Sequence, residues 1–193
     1  NDESAAFGPL NLRQKPESEV ATSYVPGFFV EKLLLFFDSY RSKLYEAQYA
    51  NEAQGYVADE ISALNEHLFS YGITSCAYQA APNRVLWMTT DEGALLGATD
   101  DRKQEVFGTC ENEVGGDGVV EWAMSMPGAD KDCDQVWFMV RRTIDGAVVR
   151  TIETLGAFYR SGISAQEWPL YAYCAQVYDG APTTSITGLS DFE

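Results

Sequence analysis

Gln135-Val136-Trp137-Phe138-Met139-Val140-Arg141-Arg142-Thr143-Ile144-Asp145-Gly146-Ala147-Val148-Val149-Arg150-Thr151-Ile152-Glu153-Thr154-Leu155 is the stretch on which the fold turns. Asp145-Gly146 separates two runs rich in β-branched and aromatic residues. A two-residue Asp-Gly loop favours a type I′ turn, whose twist matches that of the flanking strands. The stretch therefore predicts a hairpin of residues 135–144 and 147–155. Simple pairing sets Ile144 against Ala147, Val140 against Thr151 and Phe138 against Glu153. It also sets Arg141 directly opposite Arg150, and like charges facing each other are unfavourable. The prediction is therefore conditional. Either an acidic group from another strand lies between the two guanidiniums, or the register is not the simple one.

Upstream the β signal continues. Arg84 to Thr90 is an apolar run holding Val85, Leu86, Trp87 and Met88. Asp91-Glu92-Gly93 supplies a turn, and a second run follows over 94–99. A further strand is expected near 103–107. After the turn residues Gly115-Gly116-Asp117-Gly118, Val120, Trp122, Met124 and Met126 alternate with Glu121, Ala123 and Ser125. That period of two predicts a strand over 119–126 with the Val-Trp-Met-Met set on the buried face, ended by Pro127-Gly128. The two apolar runs with their turns also form a faint repeat. Val85-Leu86-Trp87-Met88 precedes Asp91-Glu92-Gly93, and Val136-Trp137-Phe138-Met139 precedes Asp145-Gly146, with starts 51 residues apart. Several short strands per 40–50-residue repeat is the signature of β-propeller blades. Two copies alone are also within the reach of coincidence.

Toward the N-terminus the pattern is weaker. Residues 1–27 are polar, carry Pro9, Pro16 and Pro26, and read as an extended arm or linker. Residues 28–193 read as part of a β-propeller-like domain. Phe28 to Phe37 is an apolar run fit for a buried strand. Leu44, Tyr45 and Tyr49 fit a helical stripe, and Ile61, Leu64 and Leu68 behind Asp59 predict a short helix near 59–69. The chain opens Asn-Asp-Glu-Ser with no initiator Met and no secretory signal, and is expected to be part of a longer protein.

Composition narrows the function. With 46 % hydrophobic residues and 13 % aromatics, 193 residues can pack a core. The formal charge is −16, from 13 basic and 29 acidic side chains. This argues against a nucleic-acid-binding domain, which neutralises phosphates with Lys and Arg. An acidic wall does suit a conduit that must not hold its cargo, although acidity also serves plain solubility. No run is long and apolar enough to span a bilayer. Cys76, Cys110, Cys133 and Cys174 lie far apart, without the CxxC pairs of zinc ribbons or thioredoxin-like motifs, and are read as packed thiols or as two disulfides.

Catalytic readings are weak. His67 is the single histidine, so any Ser-His-Asp or Cys-His device would need it. It reads instead as part of a polar helical face, and no GxSxG elbow is present. Asp130, Asp132 and Asp134 alternate as at the start of a calcium loop. The sixth and twelfth positions, however, are Gln135 and Arg141 where such a loop needs Gly and Glu. The pairs Asp100 with Asp101 and Glu111 with Glu113 fit glycosidase carboxylates no better than chance in a chain with 29 acids. No phosphate-binding glycine loop occurs. Trp87, Trp122, Trp137 and Phe138 occupy strand-face positions and are read as core or inter-blade residues before a sugar platform. The expectation is a protein without catalytic, cofactor or metal residues.

The stretch 135–153 resembles a segment of the tail-nozzle (packaged-DNA stabilisation) proteins of short-tailed phages, which carry a D-E-V-W-hydrophobic-V-x-R-T-I-x-G-x-x-x-R-x-I-E pattern. Pro82 to Trp87 followed by Asp91-Glu92-Gly93-Ala94-Leu95 is similar to the family's P-x-x-x-x-W…D-G-x-L segment. Asp101 to Val106, Gly115 to Gly118, Gly55 to Ala58 and Glu66 to Phe69 have counterparts there. Tyr178 to Pro182 and Ile186 to Leu189 are similar to its Y-x-G-x-P…I-x-G-L stretch. The likeness spans about 33–189. It departs at 38–45, and at 107–113, where the family commonly has an aromatic and basic tract and this chain reads Phe-Gly-Thr-Cys-Glu-Asn-Glu. The resemblance implies a mainly β, propeller-like subunit of a virion. It would form a ring, usually a homohexamer, at the head-tail connector. Its neighbours would be the portal-adaptor ring and fibre or spike proteins, and the genome would pass through without tight binding until ejection. On that reading the acids Asp100, Asp101, Asp130, Asp132 and Asp134 face a lumen or a neighbouring subunit. The rival readings are an acidic receptor- or carbohydrate-binding module of adhesin type and, more weakly, a propeller hydrolase with two convergent carboxylates.

Overall fold

A computed structural model of the chain describes residues 18–52, 54–101, 106–128 and 133–156. The described residues are mainly β. They form three antiparallel sheets, each a meander whose neighbouring strands are consecutive in the chain. Sheet I contains β1 (Phe28–Val30), β2 (Leu33–Phe37), β3 (Leu44–Ala50) and β4 (Gly55–Glu60). A 3-10 turn (Ala63–Asn65) and one turn of helix, α1 (Glu66–Phe69), follow. Sheet II contains β5 (Ile73–Gln79), β6 (Val85–Thr90), β7 (Leu95–Asp101) and β8 (Val106–Asn112). Sheet III contains β9 (Val119–Pro127), β10 (Asp134–Ile144) and β11 (Ala147–Thr154). The first strands of the three sheets begin at residues 28, 73 and 119, at intervals of 45 and 46 residues.

The sheets stack with sheet II in the middle. One core joins Leu35, Phe37 and Leu44 of sheet I to Leu86, Met88, Leu96 and Ala98 of sheet II. A second joins Ala77, Trp87 and Leu95 from the opposite face of sheet II to Val120, Ala123, Val136, Phe138 and Val140 of sheet III. Consecutive residues Leu86, Trp87 and Met88 are thus all buried, because alternate side chains enter different cores. Trp87 meets Phe138 edge-on, with ring centroids 5.8 Å apart.

Several expectations change. Phe28 to Phe37 is not one strand but the β1–β2 hairpin, turning at Glu31, whose φ is 56°. Leu44, Tyr45 and Tyr49 lie on strand β3, not on a helix. Pairing with β2 and β4 overrides the helical spacing, and Phe36 stacks on Tyr45 at 5.7 Å. The helix expected near 59–69 contracts to 63–69, since Asp59 and Glu60 complete β4. The strand expected near 103–107 is β8, Val106–Asn112. Within residues 18–27, Thr22 bridges Asp38 and Val25 is buried in the first core. Among the described residues no helix is long and apolar enough to cross a membrane.

The hairpin at 135–155 forms in the simple register, with Ile144 opposite Ala147, Phe138 opposite Glu153 and Arg141 opposite Arg150. The required acid is Glu121 of β9. Its carboxylate accepts from Arg141 Nε at 3.0 Å and from Arg150 Nε at 2.8 Å. Glu121 reaches that position through a bulge. Met139 pairs with Trp122 but Val140 pairs with Val120, leaving Glu121 as the extra residue. The same bulge corrects the expected burial of β9. It advances the alternation by one, so Val120 and Ala123 enter the core while Trp122, Met124 and Met126 point outward.

Candidate functional site

The acids singled out by sequence fall on two strands. Asp100 and Asp101 close β7, with Asp100 buried and Asp101 half-buried. Asp134 opens β10, and Asp130 and Asp132 lie outside the described residues. Asp134 joins two sheets. Its Oδ2 accepts from the backbone N–H groups of Ala80 and Ala81, at 2.7 and 3.0 Å, in the turn between β5 and β6. Its own N–H donates to the Ala81 carbonyl at 3.0 Å, and its carbonyl accepts from Gln79 Nε2 at 3.0 Å. Gln79 Oε1 in turn accepts from Trp87 Nε1 at 3.1 Å, so the chain of bonds runs into the second core. Burial raises the Tyr78 phenol pKa, and the charges of Arg84 (lowering) and of Asp100, Glu31 and Asp134 (raising) also act on it. Glu31 of the β1–β2 turn binds Arg84 at 3.0 Å. Residues from all three sheets therefore share one electrostatic neighbourhood at this end of the stack.

A second set of polar contacts clamps the other end. Arg41, in the turn between β2 and β3, binds both oxygens of Asp91 and lies over the Tyr24 ring, 5.5 Å from its centroid. The hydrogen bond from Arg41 holds the Asp91 carboxyl below its ordinary range. Arg41 also offers its carbonyl to the Ile73 N–H at 2.8 Å. Between sheets II and III, Ser75 Oγ accepts from the Ala123 N–H at 3.0 Å and bonds Thr89 Oγ1 at 2.8 Å. Gly93 offers its carbonyl to the Val120 N–H at 2.9 Å. These contacts orient sheets.

Glu111 and Glu113 line an open cavity of about 370 Å³ together with Gly93, Asn112, Asp117 and Gly118. The three carboxylates are exposed. Among the described residues no cluster of His, Cys, Asp and Glu is arranged to hold a metal. His67 is exposed on α1. Cys76, Cys110 and Cys133 are free thiols, and Cys174 lies outside the described residues. Burial pushes the Cys76 thiol up to about 12, which makes it a packing group and not a nucleophile.

The feature that sequence reasoning missed is on the two outer faces of the stack. On sheet III, Trp122 is 50 % and Ile152 76 % exposed, beside Met124, Met126, Met139 and Val148. Trp122, Met139 and Ile152 form one row across the three strands. On sheet I, Phe29, Tyr49 and Tyr56 are exposed, and the two tyrosines meet edge-on at 5.6 Å. The arginine pair signalled that an acid was needed, but nothing in the sequence of β9 marks the bulge that brings Glu121 there and turns Trp122 out. No protein-family model and no curated protein matches the chain.

Proposed function

We propose that this chain is a structural subunit of a phage tail nozzle, whose sheets act as propeller-like blades in a ring-shaped conduit for the genome. The observation that carries the reading is the stack of consecutive meanders at a 45–46-residue interval, with the middle sheet covered on both faces. Radially repeated four-stranded sheets stack face to face; sheets I and II have four strands and sheet III, among the described residues, three. The two copies of the faint sequence repeat, 51 residues apart, fall on equivalent strands of neighbouring sheets. Val85 to Met88 lies in the second strand of sheet II and Val136 to Met139 in the second strand of sheet III.

Three further observations support the reading. The resemblance is densest over the β10–β11 hairpin. The net charge of −16 suits a wall that releases DNA. The polar residues described above hold neighbouring sheets together. The role is mechanical: inter-sheet clamps keep each subunit rigid while the assembled wall confines and then passes the polymer. The adhesin reading draws on exposed Trp122, but that residue lies on a broad strand face and not in a pocket. Negative-stain imaging with mass photometry tests the proposal. A closed ring with an axial channel wide enough for duplex DNA is expected. A compact particle without such a channel would overturn it.

A further inference from the structure

Among the described residues the stack ends in two different apolar faces, and we infer that they bind each other between copies: the outer face of sheet III of one chain docks on the outer face of sheet I of the next. The inference rests on the blade reading of the sheets and specifies how the subunits of such a ring would meet.

The first argument is area. The exposed parts of the sheet III side chains, with those of Phe29, Tyr49 and Tyr56 on sheet I, amount to on the order of 1,000 Å², about the total that a specific interface must clear. The second argument is chemistry. Three of the chain's four methionines, Met124, Met126 and Met139, sit on sheet III, while the exposed large apolar groups of the sheet I face are aromatic. Thioethers pack favourably against ring edges. The third is charge. Beside the sheet III patch, Arg141, Glu121 and Arg150 bring two guanidiniums to one carboxylate and leave one positive charge. Beside the sheet I patch, Lys43 lies 2.8 Å from Glu60 and 3.6 Å from Glu66, which leaves one negative charge. Opposite excess charges favour the crossed pairing and disfavour either face against itself. A contact between two different patches is heterologous, and such contacts close into rings when the rotation per copy allows.

Two substitutions on exposed positions test this, Trp122→Glu on sheet III and Tyr49→Lys on sheet I, each checked by circular dichroism for an intact fold. Self-association is followed by sedimentation velocity for wild type, each variant, and their equimolar mixture. Each variant alone should associate at least about tenfold more weakly than wild type, since every contact then carries one altered face. The mixture should regain association, because the unaltered sheet III of the Tyr49 variant meets the unaltered sheet I of the Trp122 variant. Loss with Trp122→Glu but not with Tyr49→Lys would mean sheet III pairs with itself and would overturn the inference. A wild-type chain that stays monomeric would also overturn it. Rings that persist in both variants would overturn the contact and leave the nozzle reading standing. Wild-type assemblies that behave as expected but lack an axial channel would support the contact and remove the nozzle.

Discussion

Sheets II and III are built from nearly the same strand, Val-Leu-Trp-Met in β6 and Val-Trp-Phe-Met in β10, yet they differ in what covers them. In sheet II both faces are packed, and Trp87 and Met88 are 7 % and 0 % exposed. In sheet III the inner residues Val136, Phe138 and Val140 are equally buried, while Trp122, Met139 and Ile152 on the other face meet solvent. Among the described residues, sheet III is thus composed as a sheet covered twice but is packed on one face. Burial in a stack is decided by position in it: the middle layer is packed on both faces and the end layers, among the described residues, on one.

The comparison breaks most sharply at its tryptophans. Trp87→Ala should cost about 3–5 kcal/mol of unfolding free energy, since it empties the second core and removes the partner of Phe138. Trp122→Ala should cost less than about 1 kcal/mol in the dilute chain. Equal costs in denaturant titrations would contradict the assignment of inner and outer faces. Gly93→Ala comes next, at about 2–4 kcal/mol. Gly93 has a φ of 86°, and a Cβ there would fall 2.1 Å from Val119 Cγ1. The same titration should show the loss. Asp134→Ala should cost about 1–3 kcal/mol, because two backbone N–H groups lose their acceptor. Hydrogen exchange at Ala80 and Ala81 should rise in step.

The smallest effect is expected at Glu121. Hydrogen bonds from Arg150, then from Arg141, lower its pKa. The hydrogen bond from Arg142 does the same for Glu153. A carboxylate with a lowered folded pKa stabilises the fold above the unfolded titration range and loses that contribution as pH falls through the folded value. Stability should therefore decline on acidification below about pH 4. Glu121→Gln should flatten a small part of that decline in thermal melts taken across pH. An unchanged pH profile would mean that the arginine pair does not depend on Glu121.

The hairpin was fully legible because its turn dipeptide and alternation are local, and even the need for a bridging acid could be read from Arg141 and Arg150. The phase of β9 was not legible. A bulge is a property of the pair of strands, and nothing within Val119–Pro127 marks Glu121 as the extra residue. The helical reading of Leu44, Tyr45 and Tyr49 failed for a similar reason, since pairing with β2 and β4 outweighs spacing on one segment. Of the candidate acids, Asp134 proved to join sheets through backbone donors that lie 53 and 54 residues away in the chain, a distance over which sequence spacing carries no signal.

The most direct test is hydroxyl-radical footprinting read by mass spectrometry at Trp87, Met88, Trp122, Met124 and Met139, in dilute and in concentrated samples. The account predicts that Trp87 and Met88 are protected in both. Trp122, Met124 and Met139 should be oxidised when dilute and protected when concentrated. Oxidation of Trp87 and Met88 as rapid as that of Trp122 in the dilute chain would contradict the three-sheet stack. Undiminished oxidation of Trp122 in the concentrated sample would contradict the docking of one copy on the next.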